Sequence, residues 1–199
     1  MEQKDMKKQY WSELLTGALV LGLLYAVQLV LSYVFKDGGP KVISWLLSVY
    51  GFAAIAWALF HYGKRASKLE LYRTKGFSYG AAFGFSMLIL IISGVLVGVA
   101  QWILQNVIDP EYYAQMYRRS MELIIQTTPS LSDKQIEAMK TGQEITRSIW
   151  GMIGASMMTM ILLGGLIALI TSAVIKRPAN PFAEDRDTTP QQPDTTDTL

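Results

Sequence analysis

The chain is 199 residues long; 51% of them are apolar and only 17% are charged. Soluble domains carry roughly 25% charged residues, so this composition, with 16 Gly and 10 Met, argues against an ordinary water-soluble protein. The absence of Cys excludes disulfides, thiolate metal sites and cysteine nucleophiles, and a formal net charge of +2 is too small to suggest a nucleic-acid binder.

The charges are missing in blocks. Leu14–Phe35, Val42–Phe60, Phe77–Ile108 and Ser148–Ile175 hold 22, 19, 32 and 28 residues without Asp, Glu, Lys or Arg. About 20 helical residues cross a hydrocarbon core, and backbone in lipid must satisfy its own hydrogen bonds, so each run predicts a membrane-spanning helix. The first run follows Lys4, Lys7 and Lys8, as a secretory signal would. It exceeds the usual apolar core of such a signal and lacks a clear cleavage site, so it reads as a retained span. The third run is too long for a perpendicular crossing. Gln101, Gln105 and Asn106 near its end suggest that its last turns project from the bilayer.

Lys and Arg collect on the cytoplasmic side of membrane proteins. The N-terminus, the connection between spans two and three (Lys64, Arg65, Lys68, Arg73, Lys75) and the tail (Lys176, Arg177, Arg186) carry eleven; the other side carries seven. The bias predicts two cytoplasmic termini. Trp11, Trp45, Trp102 and Trp150 fall near span ends, where amphipathic rings prefer to sit.

Helices in lipid associate through close backbone approach and polar contacts. Gly76, Gly80 and Gly84, then Gly94 and Gly98, are spaced by four along the third span, as are Gly164 and Ala168 in the fourth. These residues are the expected packing positions of a monomeric bundle; the sharper alternative is that the Gly76/Gly80/Gly84 face pairs two protomers. Gln28, Ser93, Ser156 and Thr159 are polar groups inside spans, read as interhelical hydrogen bonds in preference to a solute path. No ionisable residue lies deep in a span, which counts against an ion-coupled carrier.

Between spans three and four, Asp109-Pro110 reads as a cap and first residue of a helix over Glu111–Gln126. Tyr113, Tyr117, Met121 and Ile124 share one face of it, and Arg118 and Glu122 are spaced for an ion pair. That face is the candidate surface for a partner, although packing on the membrane or on a neighbouring helix is the simpler expectation. Pro129 interrupts, and Ser132 with Gln135 fits a capping box for a second helix that could run on into the fourth span. The basic stretch 63–75 is read as a topology and lipid anchor. Beyond Lys176 the chain is rich in Pro, Thr and Asp and predicts disorder; the Pro190/Pro193 spacing is a weak docking signal.

Chemistry-bearing patterns are few. His61 is the one histidine and suits an interfacial or capping role, and neighbouring Tyr62 reads as an ordinary interface residue. Met87, Met152, Met157, Met158 and Met160 are read as apolar filler and not as copper ligands. There is no phosphate-binding glycine loop, zinc-helix motif or nucleophile elbow, so no catalytic residue, metal or cofactor is expected. The expected partners are the lipid bilayer and a second copy of the chain or another membrane protein.

The order Gly76-Phe77-Ser78-Tyr79-Gly80, Ile108-Asp109-Pro110-Glu111-Tyr112-Tyr113 and Ser132-Asp133-Lys134-Gln135-Ile136-Glu137-Ala138-Met139 resembles the bacterial domain-of-unknown-function family 4199 over about residues 8–176. The resemblance implies a bacterial inner-membrane location and an extracytoplasmic helical insert, and assigns no residue a role. The expected architecture is all-α: a four-helix membrane domain over 1–176, with spans near 14–35, 42–61, 78–107 and 149–175, an extracytoplasmic helical hairpin over 109–147, and a disordered cytoplasmic tail over 177–199. The expected role is a non-enzymatic structural, accessory or regulatory membrane component. The alternative is a transporter-like protein for a small or lipidic solute, which would show a polar cavity leading from Gln28 toward Gln101 and Gln105.

Overall fold

A computed structural model describes residues 3–36, 40–72, 76–128 and 130–179. Every named element is helical: α1 (Gln3–Val34), α2 (Lys41–Ala66), a short 3-10 turn (Glu70–Tyr72), α3 (Tyr79–Ile103), α4 (Pro110–Thr127), α5 (Asp133–Arg147), α6 (Ile149–Thr159) and α7 (Gly165–Ile175). A π-turn over Leu104–Ile108 prolongs α3, and another over Met160–Gly164 joins α6 to α7. Four helical stretches are long and apolar enough to cross a membrane: Asp5–Val34, Val42–Ala66, Tyr79–Ile108 and Ile149–Ile175. Large apolar side chains cover their outer surface, among them Leu23, Val30, Leu166 and Ile170. Such a surface is intolerable in water and ordinary in lipid. Trp11, Trp45 and Trp150 are exposed near the span ends.

α3 is the central helix. Half of its most apolar window is buried, against about a third or less in the other three spans. Its glycines explain why. A Cβ on Gly98 would lie 2.5 Å from Ile153 Cα, and one on Gly94 2.8 Å from Met157 Cα, so α6 approaches α3 backbone to backbone. Gly164 admits Leu90, and Ala168 is fully buried. On the other side the Ser93 hydroxyl donates to the Ala18 carbonyl at 3.0 Å, tying α3 to α1. α2 meets α1 where Gly17 receives the Tyr62 ring and Gly51 the Gln28 amide.

The Gly80 and Gly84 positions differ from the packing expectation: both are exposed, with no atom of a described residue within 4 Å of an added Cβ. Gly76 is not part of the span. It lies before α3 with φ +73, a conformation that suits glycine, against the backbone of Arg177, Pro178 and Ala179. Phe77 and Arg177 exchange both backbone hydrogen bonds, at 3.0 and 2.9 Å. The chain therefore remains placed through Ala179, past the expected start of a disordered tail at 177; residues 180–199, including Pro190 and Pro193, lie outside the described residues, as do Arg73, Lys75 and Pro129.

Three further details depart from expectation. α1 begins well before the first uncharged run, because Tyr10 packs on Phe85 and Tyr72, with ring centroids 5.4 and 6.5 Å apart. Tyr62 is a core residue rather than an interfacial one. α5 does not continue into α6: Ser148 is extended (φ −64, ψ 155) and its hydroxyl caps the new helix by accepting from Gly151 N at 3.0 Å.

Candidate polar cleft and its ionic rim

Two clefts flank the half of α1 nearer its C-terminus. One, of about 330 Å³, lies between α1, α3 and α6 and is lined by Gln28, Ser32, Gln101, Ser156 and Thr159, with Tyr25 and Met160 at its apolar end. The other, of about 370 Å³, lies between α1 and α2 and shares Gln28 and Ser32, adding Ser44, Ser48 and Lys36. The Gln28 amide Nε2 donates to the Leu47 carbonyl at 2.9 Å, while its Oε1 is buried without a partner among the described residues. Ser156 donates to Gln101 Oε1 at 3.2 Å, linking α6 to α3. Of the four intraspan polar residues singled out by sequence, Gln28, Ser93 and Ser156 make interhelical bonds; Thr159 bonds the Ala155 carbonyl on its own helix.

The cleft joins Gln28 to Gln101 but not to Gln105. Gln105 is buried and accepts a hydrogen bond from the Tyr117 hydroxyl at 3.1 Å. Gln105 belongs to the π-turn over Leu104–Ile108, and the second π-turn starts at Met160 on the cleft wall. Such turns shift the register of a helix face and recur near functional sites.

An ionic cluster stands beside the α1–α2 cleft. Lys36, just past α1, pairs with Asp109, just past α3. The Tyr33 hydroxyl also donates to Asp109 Oδ2 at 2.9 Å, and Asp109 Oδ1 accepts from Tyr112 N at 3.1 Å, capping α4. The Lys36 ammonium lies 4.1 Å from the Tyr33 ring centroid and 3.9 Å from that of Tyr112. The hydrogen bond from Lys36 holds the Asp109 carboxyl below its ordinary value, aided by Tyr33 and the Tyr112 amide; the same bond raises Lys36.

The expected partner face of α4 is partly used within the protein. Met121 is buried, Tyr113 and Tyr117 are half-buried, and Ile124 is exposed. Burial pushes the Tyr113 hydroxyl above its usual range. Arg147 of α5 sits 5.5 Å from the Tyr117 ring centroid. Arg118 and Glu122 form no ion pair in the structure, both being exposed. Ser132 N donates to Gln135 Oε1 at 2.9 Å, as a capping box requires. His61 is exposed and stacks on Trp57, with centroids 5.2 Å apart.

Sequence reasoning missed the Lys36–Asp109 pair, counting the first as a charge and the second as a cap. A signal was present: Lys36 ends the first uncharged run and Asp109 the third, so the two should stand at one membrane level.

The fold and the lipid-compatible surface define an all-α, four-span membrane bundle. The family model described as "Protein of unknown function (DUF4199)" matches residues 16–177, and the chain belongs to that family. No curated protein and no solved structure matches the chain.

Proposed function

We propose that this protein is a non-enzymatic accessory or regulatory component of a bacterial inner membrane, with both termini in the cytoplasm and α4–α5 outside. The observation that carries the reading is the shape of the interior. Below the Gln28–Gln101 cleft, toward the termini, Leu14, Ala18, Leu21, Phe85, Ile89 and Leu90 form a layer with 0% exposure. The polar lining therefore ends on a closed, mainly apolar core, whose only polar side chains among the described, fully buried residues are the hydroxyls of Ser86, Ser93 and Ser172. A carrier needs polar groups along its path and, when ion-coupled, ionisable ones inside the spans.

The competing reading, a transporter-like protein, draws on the same cleft: the unpaired Gln28 Oε1 would accept from a small donor-bearing solute. The two separate in proteoliposomes. Vesicles containing the protein should release urea, glycerol and potassium no faster than empty vesicles. Faster release that Gln28→Leu abolishes would overturn the accessory reading. Because the chain lacks Cys, single-cysteine variants test the topology: a membrane-impermeant maleimide applied to spheroplasts should label Met116→Cys and leave His61→Cys unlabelled.

A further inference from the structure

The helix ends at the terminus-bearing side bring together cations that are far apart in sequence. A cavity of about 410 Å³ lies between the ends of α2 and α7, lined by Lys64 and Lys68 from one side and Lys176 and Arg177 from the other. Among the described residues no carboxylate lines it. Its remaining wall is apolar on the membrane side, with Phe60, Val174 and Ile175; Phe60 and Val174 are exposed on the lipid-facing surface. Arg65, the neighbouring cation, is already engaged: its guanidinium donates to Glu13 at 2.8 Å. Arg177 is positioned rather than loose, since its backbone is paired with Phe77 and its Nη1 donates to the buried Ser67 carbonyl at 3.4 Å.

We propose that this cavity holds the phosphate headgroup of an anionic phospholipid, with its acyl chains lying along Phe60 and Val174. The chemistry needed is a compact, multiply cationic pocket open to the hydrocarbon region, and basic pockets between spanning helices recognise acidic headgroups in this way. Lysines supply point charges to a phosphate, and Arg177 supplies a planar donor fork. A role in topology alone needs positive charge on one side of the membrane, not four cations from two separate helices converging on one apolar-walled cavity. A water-soluble phosphate would use the same cations and leave the Phe60–Val174 wall without a function.

The full chain, delipidated in neutral detergent, is titrated with phosphatidylglycerol, diphosphatidylglycerol or phosphatidylcholine of matched acyl chains, and bound lipid is counted by native mass spectrometry. The anionic lipids should bind well ahead of phosphatidylcholine. Lys64→Gln should weaken them about fivefold, and Lys64→Gln/Lys68→Gln about 25-fold, from roughly one lysine's worth of attraction each. Lys64→Arg/Lys68→Arg should retain binding, which separates charge from folding. Lys134→Gln/Lys140→Gln removes the same charge from α5 and should change nothing. Equal weakening by that control, or equal binding of phosphatidylcholine, overturns the site. Displacement of the lipid by millimolar inorganic phosphate or glycerol 3-phosphate overturns the assignment to a lipid.

Discussion

Lys36 and Asp109 meet across the ends of two spans that neither residue belongs to. The contact fixes where α1 stops relative to where α4 starts, and Asp109 serves at once as ion partner and helix cap.

Asp109→Asn keeps an acceptor for the Tyr112 amide but removes the partner of Lys36. The lowered Asp109 carboxyl contributes stability that is complete above the ordinary carboxylate value of about 3.9 and is lost as pH falls through its depressed folded value. The raised Lys36 contributes stability that is present below about 10.4 and is lost as pH rises through its elevated folded value. Thermal unfolding in detergent should therefore show a pH-insensitive contribution from roughly pH 5 to 9. Below that window, the variant should lose less stability than the parent. Parallel acid losses in both proteins would contradict the assignment.

Gly98→Val and Gly80→Val should behave oppositely. A side chain on Gly98 collides with Ile153 backbone, and overpacking of this kind costs about 1–3 kcal/mol. Gly80 faces open space, so its variant should unfold at the parent temperature. Its mass in detergent should also match the parent; a fall from two copies to one would place the Gly80/Gly84 face between protomers.

Ser93→Ala removes a hydroxyl whose single proton is shared between the Ala18 carbonyl across the interface and the Ile89 carbonyl on its own helix, at 3.0 and 2.7 Å. Interhelical bonds in membranes average about 0.6 kcal/mol, with a maximum of about 1.7. Ser93→Ala should fall toward the upper end because the site is fully buried, and Ser156→Ala should fall near the mean. Reversible unfolding in mixed micelles reads both.

The joint at Ser148 gives a further test. A methyl group on Gly151 would run into the Ile145 carbonyl, so Gly151→Ala must move α5 relative to α6. Spin labels at Lys140 and Ser44 should report a shifted or broadened distance distribution. Ser148→Ala, which loses the cap and the hydroxyl's bond to the Ile145 carbonyl but leaves the Gly151 contact in place, should cost about 1 kcal/mol without that shift. An unchanged distance in Gly151→Ala would mean that the bend is not fixed by this contact.

Much of the fold was legible because lipid imposes a rule that sequence displays directly: long stretches without charge. The existence of the four spans follows from it, although α1 starts before its uncharged run and α2 ends beyond its own; the Asp109-Pro110 helix start follows from capping chemistry instead. The packing partners of each glycine were not legible, since spacing by four is the same for Gly94/Gly98, which meet α6, and Gly80/Gly84, which meet nothing among the described residues. The Ser148 break was half legible: Arg147 closes the charged insert there, but no proline interrupts the helical pattern. The polar cleft was half legible: the transporter alternative led from Gln28 toward Gln101, but it also included Gln105, which turns away to Tyr117, and Ser32 drew no notice.

The paired Phe77 and Arg177 backbones fasten the entrance of the central span to the exit of the last one. The bundle is thus pinned at one end, like tongs closed at the pivot. Rearrangement that spares this clasp is left to the opposite end, where the Ser148 joint lies and where Lys36, on the wall of the α1–α2 cleft, meets Asp109 at the start of α4.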